Sequence, residues 1–257
     1  MKCIEKANPE NLVQVLVEEI SSKIERSIPV LFLVSGGSTA QLAVQICKTL
    51  NKRLAGKTGG LKWLMTFTLA DERYGEIGHS DSNWQLLLNS GFLPQNFTTV
   101  PILQKDSGYP ENMEDLETFD NSGDLKTIEE TVLQFNDFLS DVVKRAQNNK
   151  LYIVGLFGIG EDGHTAGILP NSPAACLPPY GETYATGFKS SPFTRITIAP
   201  AFFNHINLAT VWAGGEAKKP ALKALFTEGS AEEVPARYLS LAKKTLIYTD
   251  QHITIGE

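Results

Sequence analysis

The sequence predicts an α/β protein with a mostly parallel β-sheet. Short apolar runs alternate with longer segments of helical periodicity, which is the pattern of βα repeats packed around such a sheet. The first repeat is clear: Val30–Val34 is typical of a strand buried on both faces, the loop Ser35–Thr39 follows, and a helix is predicted from about Ala40 to Arg53. The 257 residues show no internal repeat and no obvious linker, so we expect a single domain over residues 1–257.

Further repeats follow along the chain. An apolar run at Leu64–Leu69 predicts the second strand, and we expect Ser82 to cap a helix that begins near Asn83. Residues 127–147 have the three-to-four spacing of apolar residues that marks an amphipathic helix on the sheet, whereas residues 105–123 are predicted to be a surface excursion without assigned function. The other predicted elements are strands at Thr98–Val100, Leu151–Phe157, Arg195–Ala199, Leu208–Ala213 and Thr245–Tyr248 and a helix over Glu216–Phe226.

The composition narrows the functional classes. With 29 acidic against 23 basic residues and a formal net charge of −6, the chain lacks the surplus of Lys and Arg that a non-specific nucleic-acid binder needs. Cys3, Cys47 and Cys176 are odd in number and show no CxxC spacing, so neither a disulfide framework nor a zinc knuckle is indicated. The N-terminal residues 1–14 have no long apolar run, and the densest run, Val30–Val34, is too short to span a bilayer. We therefore expect a cytoplasmic protein that binds neither nucleic acid nor a membrane, with its oligomeric state left open.

Three glycine-containing loops follow predicted strands and indicate phosphate binding. They are Ser35-Gly36-Gly37-Ser38-Thr39, the loop from Gly158 to Thr165 that includes Gly160, and Gly214-Gly215. Glycine lets the backbone approach a ligand closely, and the N-terminus of a following helix offers unpaired N–H groups to an anion. The steric needs of a βα turn also explain each loop taken alone. Neither GxGxxG nor GxxxxGK[ST] follows the first strand, which counts against a dinucleotide or nucleoside triphosphate enzyme.

The segment Asp162-Gly163-His164 is a candidate for catalysis. It follows a predicted buried strand, and imidazole titrates near neutral pH, so His164 is suited to act as a general base on water with Asp162 as the neighbour that orients or stabilises it. The alternative is a structural histidine that bonds a loop carbonyl. No cluster of His, Cys and carboxylates has metal-ligand spacing, so no metal is expected.

The polar triplet Asp71-Glu72-Arg73 is a candidate for substrate binding. It follows the second predicted strand, and open α/β sheets place ligands at the carboxyl ends of their strands. A carboxylate pair beside a fixed arginine suits the oxygens of a sugar phosphate, although a surface salt bridge is the alternative. Lys218, near the start of the helix that follows Gly214-Gly215, is placed to reach a bound phosphate, although solvated lysines are commoner.

Five motifs in order resemble the 6-phosphogluconolactonases, with a match from about Val30 to Tyr248. The motifs are SGGST (Ser35–Thr39), ADER with DSN (Asp81-Ser82-Asn83), GIGEDGHTAGILP (Gly158–Pro170), RITIAP (Arg195–Pro200) and GGEAKKPAL (Gly214–Leu222). The resemblance implies a Rossmann-like α/β fold, an open, mostly parallel sheet with helices on both faces, shared with glucosamine-6-phosphate deaminases and ribose-5-phosphate isomerases. It also implies hydrolysis of a phosphorylated sugar lactone, 6-phosphoglucono-1,5-lactone, in the oxidative pentose phosphate pathway without a cofactor.

The resemblance implies roles for individual residues as well. The histidine of the DGHT motif, which activates water in the family, falls on His164. The Arg of DER and the Lys of GExK, which are associated with the phosphate, fall on Arg73 and Lys218. The remaining candidates for substrate or phosphate binding are Ser35, Gly36, Gly37, Ser38, Asp71, Glu72, Asn83 and Gly160.

Departures from the family pattern leave two other hypotheses open. Glu161 stands where the family commonly has Pro, and Tyr74-Gly75 stands where it has Val-Pro. An aromatic residue and Gly after Asp-Glu also resemble the deaminase relatives, so a glucosamine-6-phosphate deaminase or isomerase is the second hypothesis. A non-catalytic sugar-phosphate-binding protein is the third; such regulators usually add a helix-turn-helix segment, for which the residues before Val30 leave little room.

Overall fold

The described part of the chain forms two β-sheets, and the larger one carries the predicted βα repeats. The computed structural model describes residues 1–55, 64–94, 97–104 and 126–253, except for the side chain of Ser38. The strands in chain order are β1 (Lys2–Ile4), β2 (Val30–Val34), β3 (Met65–Leu69), β4 (Asp71–Arg73), β5 (Thr98–Val100), β6 (Tyr152–Gly158), β7 (Ala185–Lys189), β8 (Thr194–Ile198), β9 (Leu208–Trp212) and β10 (Thr245–Tyr248). Seven of them form a parallel sheet in the order β1-β10-β9-β6-β2-β3-β5, which confirms the predicted mostly parallel α/β fold.

β2 lies at the point where the chain changes direction across the larger sheet. All five of its residues are fully buried, because it pairs with β3 on one edge and with β6 on the other. From β2 the chain builds β3 and β5 on one side, and it then crosses to β6 on the opposite side. The carboxyl ends of β2 and β6 therefore flank a topological switch point, the place where open α/β sheets bind ligands.

The smaller sheet, in the order β4-β8-β7, is antiparallel. The polar triplet 71–73 is thus a short strand, and its Asp71 and Arg73 pair with Thr197 and Arg195 of β8. The strand predicted at residues 195–199 is confirmed as β8, but it belongs to this smaller antiparallel sheet, so the prediction of a further βα unit there was wrong. Three polar residues carry no readable strand periodicity, and their partner lies more than a hundred residues away in the chain, so the pairing leaves no local signal.

The helices are α1 (Pro9–Glu25), α2 (Ala40–Leu54), α3 (Asn83–Asn89), α4 (Ile128–Gln147) and α5 (Lys219–Phe226), and a 3₁₀ turn over Glu216–Lys218 precedes α5. α2 to α5 lie where the sequence predicts them, whereas α1 and β1 were not predicted. The sequence did contain a signal for α1. Asn8 and Asn11 form a reciprocal capping box ahead of residues 12, 13, 16, 17, 20 and 24, which have helical spacing and are buried against α2, β2 and β9.

Aromatic packing fixes the start of α3 beside the switch point. The ring of Phe67 in β3 lies 6.1 Å from that of Trp84 in α3 and 4.5 Å from that of Phe92, measured between centroids. The hydroxyl of Ser82 accepts a hydrogen bond from the backbone N–H of Gln85 over 3.1 Å, which confirms the predicted cap. Asn83, the first residue of α3, is therefore held at the carboxyl end of β3.

The cysteines and the helices bear on what the composition predicts. The thiols of Cys3, Cys47 and Cys176 are free, and burial raises the pKa of Cys47. Within the described ranges, no helix combines the length and the apolar character that crossing a bilayer requires. The predicted surface excursion at residues 105–123 lies outside the described residues.

Candidate active site

A cavity of about 290 Å³ opens at the switch point. Its walls come from the segments that follow β2, β3, β6 and β9, because the carboxyl ends of parallel strands meet at one edge of a sheet, and from β8 of the smaller sheet. Its volume is near the lower end of the ~300–1,000 Å³ typical of small-molecule sites. The predicted site residues that line it are Ser35, Gly36, Gly37, Asp71, Arg73, Asn83, Gly160, His164 and Lys218.

His164 and Asp162 form a hydrogen-bonded pair at the mouth of the cavity. The imidazole Nδ1 of His164 lies 2.6 Å from Oδ1 of Asp162, and the same oxygen accepts the backbone N–H of His164 over 3.1 Å. Asp162 does not line the cavity itself, so it acts on the site through His164. The two side chains are partly exposed, at 39% for His164 and 52% for Asp162, so water reaches the imidazole.

The two side chains are arranged as a general base and the carboxylate that orients it. Burial raises the pKa of Asp162, but the hydrogen bonds from His164 and its charge outweigh burial and hold the pKa below the ordinary value. An ionised carboxylate on Nδ1 selects the tautomer that carries its proton there, which leaves the lone pair on Nε2. This tautomer is assigned from the hydrogen bond. Nε2 is then the atom that can accept a proton from water in the cavity.

Gly160 makes room for this pair. A Cβ atom at position 160 would overlap Nδ1 and Cε1 of His164 and approach Oδ1 of Asp162. The backbone N–H of Gly160 donates to the carbonyl of His164 over 2.8 Å, which closes the loop after β6. The glycine predicted for phosphate contact therefore also sets the position of the imidazole.

Asp71 and Asn83 form the opposite, buried part of the cavity wall. The amide Nδ2 of Asn83 donates to Oδ2 of Asp71 over 3.0 Å and to the backbone carbonyl of Asp71 over 3.1 Å. Gly36 approaches so closely that a Cβ on it would overlap the Asn83 amide, and its N–H donates a long hydrogen bond of 3.4 Å to Oδ1 of Asp71. Oδ1 of Asn83 is buried and has no hydrogen-bond partner among the described residues.

The carboxyl group of Asp71 lies in an environment that opposes its charge. Burial raises its pKa, and the hydrogen bond from Gly36 and the positive charges of Arg195 and Arg73 oppose this only in part. Asp71 is therefore a buried acidic group in the same wall as Arg73 and Arg195.

Glu72 does not line the cavity, in contrast to its predicted role in substrate binding. Its side chain is fully buried and accepts four hydrogen bonds from the protein. Oε1 accepts the backbone N–H groups of Asn83 and Arg73 over 2.6 and 2.7 Å, and Oε2 accepts the Trp84 N–H and the Ser82 hydroxyl, each over 3.0 Å. Three of these donors, from Ser82, Asn83 and Trp84, are at the N-terminus of α3, where a carboxylate satisfies unpaired N–H groups. Glu72 thus attaches α3 to β4.

Among the described residues, three cationic side chains line the cavity: Arg73, Lys218 and Arg195. The first two were predicted, and Arg195 was missed. Its signal in the sequence is that it opens the RITIAP motif, but only the pairing of β8 with β4 shows that it lies directly opposite Arg73. Burial lowers the pKa of Arg195, Asp71 opposes this, and the charge of Arg73 adds to it. An anionic ligand would relieve the repulsion between these cations.

The other residues that line the cavity belong to the loops that follow β2 and β6. The Ser35 hydroxyl accepts the backbone N–H of Gly158 over 3.1 Å and so ties the loop after β2 to the end of β6. Ser38 follows in the first loop, and its side chain lies outside the described part of the chain. Gly158, Ile159 and Ala166 line the cavity from the second loop without having been predicted. Across the described ranges, no three His, Cys, Asp or Glu side chains are grouped as metal ligands.

Comparisons with known proteins find a matching family model and similar proteins for this chain. The model of a family described as glucosamine-6-phosphate isomerases/6-phosphogluconolactonase matches residues 5–248. The chain is 29% identical over 237 residues to the protein of Oryza sativa subsp. japonica named "Probable 6-phosphogluconolactonase 1", a match that covers 90% of this chain and 74% of that relative.

Solved structures share the fold. The 6-phosphogluconolactonase from Trypanosoma brucei superposes with a TM-score of 0.64 at 20% identity, covering 96% of this chain and 95% of the other. A monomeric glucosamine-6-phosphate deaminase superposes with a TM-score of 0.65 at 18% identity, covering 97% of each chain. At these identities the likeness shows the common fold alone and does not separate the two activities.

Proposed function

This chain belongs to the glucosamine-6-phosphate isomerase/6-phosphogluconolactonase family, and we propose that it hydrolyses 6-phospho-D-glucono-1,5-lactone to 6-phospho-D-gluconate, a step of the oxidative pentose phosphate pathway. Curated relatives that it matches are named 6-phosphogluconolactonases. The observation that carries the proposal is the His164–Asp162 pair at a cavity lined by three cationic side chains. This arrangement combines a base for water with a receptor for a phosphorylated substrate.

In the proposed reaction His164 activates the attacking water. Nε2 takes a proton from water while the water oxygen bonds to the lactone carbonyl carbon, and the carbonyl oxygen becomes an oxyanion. Collapse of this intermediate breaks the bond between the carbonyl carbon and the ring oxygen. The proton held by His164 then goes to the leaving ring oxygen, which becomes the hydroxyl of the open-chain acid. Asp162 stabilises the imidazolium that exists between the two proton transfers.

The cationic wall holds the substrate and balances its charge. Arg73 and Lys218 bind the 6-phosphate, because a phosphate dianion pairs strongly with guanidinium and ammonium groups. Asn83 and Asp71 offer polar atoms to the sugar hydroxyls from the buried side of the cavity. The mechanism needs no covalent nucleophile, since a lactone carbonyl is already electrophilic, and the proposal includes no cofactor.

The expected cytoplasmic location is part of the same proposal. The three free thiols support it, because disulfides are rare in reducing compartments. We further propose that nucleic acid is not a partner, since the chain carries a net charge of −6.

A two-substrate assay of the purified protein tests the proposed function. Opening of 6-phospho-D-glucono-1,5-lactone is followed against a no-enzyme control, because the lactone also hydrolyses spontaneously. Release of ammonia from glucosamine 6-phosphate is measured in parallel. Rapid lactone opening without ammonia release is the expected result. Ammonia release without lactone opening would transfer the chain to the deaminase activity, and the absence of both reactions would favour a non-catalytic sugar-phosphate-binding protein.

A further inference from the structure

The hairpin that joins β7 to β8 presents an aromatic ring beside the cavity. Within this turn, the backbone N–H and the hydroxyl of Ser190 donate to the carbonyl of Phe193 over 2.9 and 2.6 Å. The Ser190 hydroxyl also accepts a hydrogen bond from Nε of Arg195 over 3.1 Å. One serine therefore fixes both the turn that carries the Phe193 ring and the side chain of a cavity arginine.

The ring of Phe193 contacts two cavity arginines at once. Cζ of Arg73 lies 4.5 Å from the ring centroid, and Cζ of Arg195 lies 5.6 Å from it. Both distances fall within the roughly 6 Å over which a cation is attracted to an aromatic face. Phe193 itself does not line the cavity, whereas both arginines do. The ring is thus a shared support behind the two guanidinium groups.

The two arginines need such a support. They are directly paired in the antiparallel register of β4 and β8, and like charges opposite each other destabilise a sheet. Burial lowers the pKa of Arg195 and the charge of Arg73 contributes in the same direction, although Asp71 opposes both. The Arg73 guanidinium has a hydrogen bond of its own, because its Nη1 donates to the backbone carbonyl of Asp81 over 3.0 Å. The negative face of an aromatic ring offsets part of the repulsion.

We propose that Phe193 is a positioning residue that holds Arg73 and Arg195 together as one two-guanidinium receptor for the phosphate of the substrate, an inference that rests on the proposed function. A phosphate dianion can bridge two adjacent guanidinium groups and cancel their charge, whereas a neutral hydroxyl cannot. Phe193 therefore contributes to the preference for a phosphorylated over an unphosphorylated lactone without touching either one.

The test compares Phe193→Leu, which removes the aromatic face, with Phe193→Tyr, which keeps it. Binding of 6-phosphogluconate and of gluconate is measured by calorimetry, and kcat and KM are measured for the phosphorylated and unphosphorylated lactones. Phe193→Leu is expected to weaken 6-phosphogluconate binding and raise the KM of the phosphorylated lactone about 5- to 30-fold, with kcat changed less than about twofold. Phe193→Tyr is expected to stay within about twofold of the wild type in all measurements.

Two further variants keep the test decisive. Ser190→Ala removes the hydrogen bond to Arg195 and one of the two to the Phe193 carbonyl, but it keeps the aromatic ring and the backbone hydrogen bond of the turn. A smaller loss of about threefold on phosphorylated ligands is therefore expected even if Phe193→Leu does not fold. Tyr180→Leu removes an exposed ring elsewhere on the surface and should change nothing. A folded Phe193→Leu protein with unchanged 6-phosphogluconate affinity would overturn the inference, and so would equal losses on gluconate and 6-phosphogluconate.

Binding and turnover separate this inference from the proposed function. A wild-type protein that binds 6-phosphogluconate but opens no lactone would refute the activity, while the Phe193 series would still decide the role of the ring. Rapid lactone opening by Phe193→Leu with wild-type KM would refute the positioning role alone. A wild-type protein that binds no 6-phosphogluconate would refute the inference that Arg73 and Arg195 form a phosphate receptor.

Discussion

Nδ1 of His164 lies 2.6 Å from Oδ1 of Asp162, and that oxygen also accepts the backbone N–H of His164. The two residues are separated only by Gly163 in one tight loop, so their relative position depends on the local backbone. The imidazole is thereby held with Nε2 available at a cavity whose other walls come from different parts of the chain.

Replacing His164 by Ala should abolish general-base catalysis and leave binding intact. We expect kcat for the phosphorylated lactone to fall about 10²- to 10⁴-fold, the usual contribution of a positioned base, while 6-phosphogluconate still binds. Rates above the spontaneous background are the measurement, and His252→Ala, at an exposed histidine that pairs with Glu5, is the control. A folded His164→Ala protein with the full wild-type rate would eliminate the mechanism.

Replacing Asp162 by Asn should lower kcat about 10-fold or more, because an amide keeps an acceptor for Nδ1 but loses the charge that stabilises the imidazolium. The pKa of Asp162 lies below its ordinary value, so this charge is present at neutral pH. The measurement is kcat for the phosphorylated lactone above the spontaneous background. Glu161→Gln, which neutralises the exposed neighbouring carboxylate, is the control and should keep the wild-type kcat; a wild-type kcat in Asp162→Asn would contradict the pairing.

Arg73→Ala and Lys218→Ala should each raise the KM of the phosphorylated lactone about 10- to 100-fold, as expected for the loss of a charged hydrogen bond. The KM of unphosphorylated glucono-1,5-lactone should change little, because that substrate lacks the anion. Lys219→Ala is the matched control, since this neighbouring lysine pairs with Glu216 and does not line the cavity. Equal losses on both lactones would refute phosphate binding by these two side chains.

Glu72→Gln should destabilise the fold. Four groups donate hydrogen bonds to the Glu72 carboxylate, and at least one of them would face the N–H₂ group of the glutamine amide, which cannot accept a hydrogen bond. Each buried donor left without a partner costs about 1–3 kcal/mol, which denaturant unfolding can measure. Glu76→Gln changes an exposed carboxylate in the following loop and should stay within about 0.5 kcal/mol of the wild type. Wild-type stability together with a selective rise in KM would instead return Glu72 to substrate binding.

Removal of divalent metal ions should leave the rate unchanged. The described ranges contain no grouped set of metal-ligand side chains, and the proposed reaction uses a histidine base and cationic side chains. The measurement is lactone opening before and after exhaustive chelation and dialysis. Lost activity that returns with an added divalent ion would require a different mechanism.

Several features were readable from sequence because they depend on local patterns. Val30–Val34 is apolar throughout, which a strand buried between two neighbours requires, and the structure confirms it. The loops after the strands were marked by glycine and by polar side chains, and most of the residues chosen there line one cavity. The resemblance carried by five motifs is confirmed by the family model that matches residues 5–248.

The sequence by itself determined the mostly parallel sheet, most of its strands and the His164 loop, because periodicity and turn chemistry act over a few residues. Only the tertiary structure decided which polar residues face the ligand. Glu72 and Arg73 are adjacent in β4, yet one is buried under α3 and the other lines the cavity, since neighbouring strand residues point to opposite faces. Arg195 joined the site through pairing of β8 with β4, a contact between distant segments that no local pattern encodes.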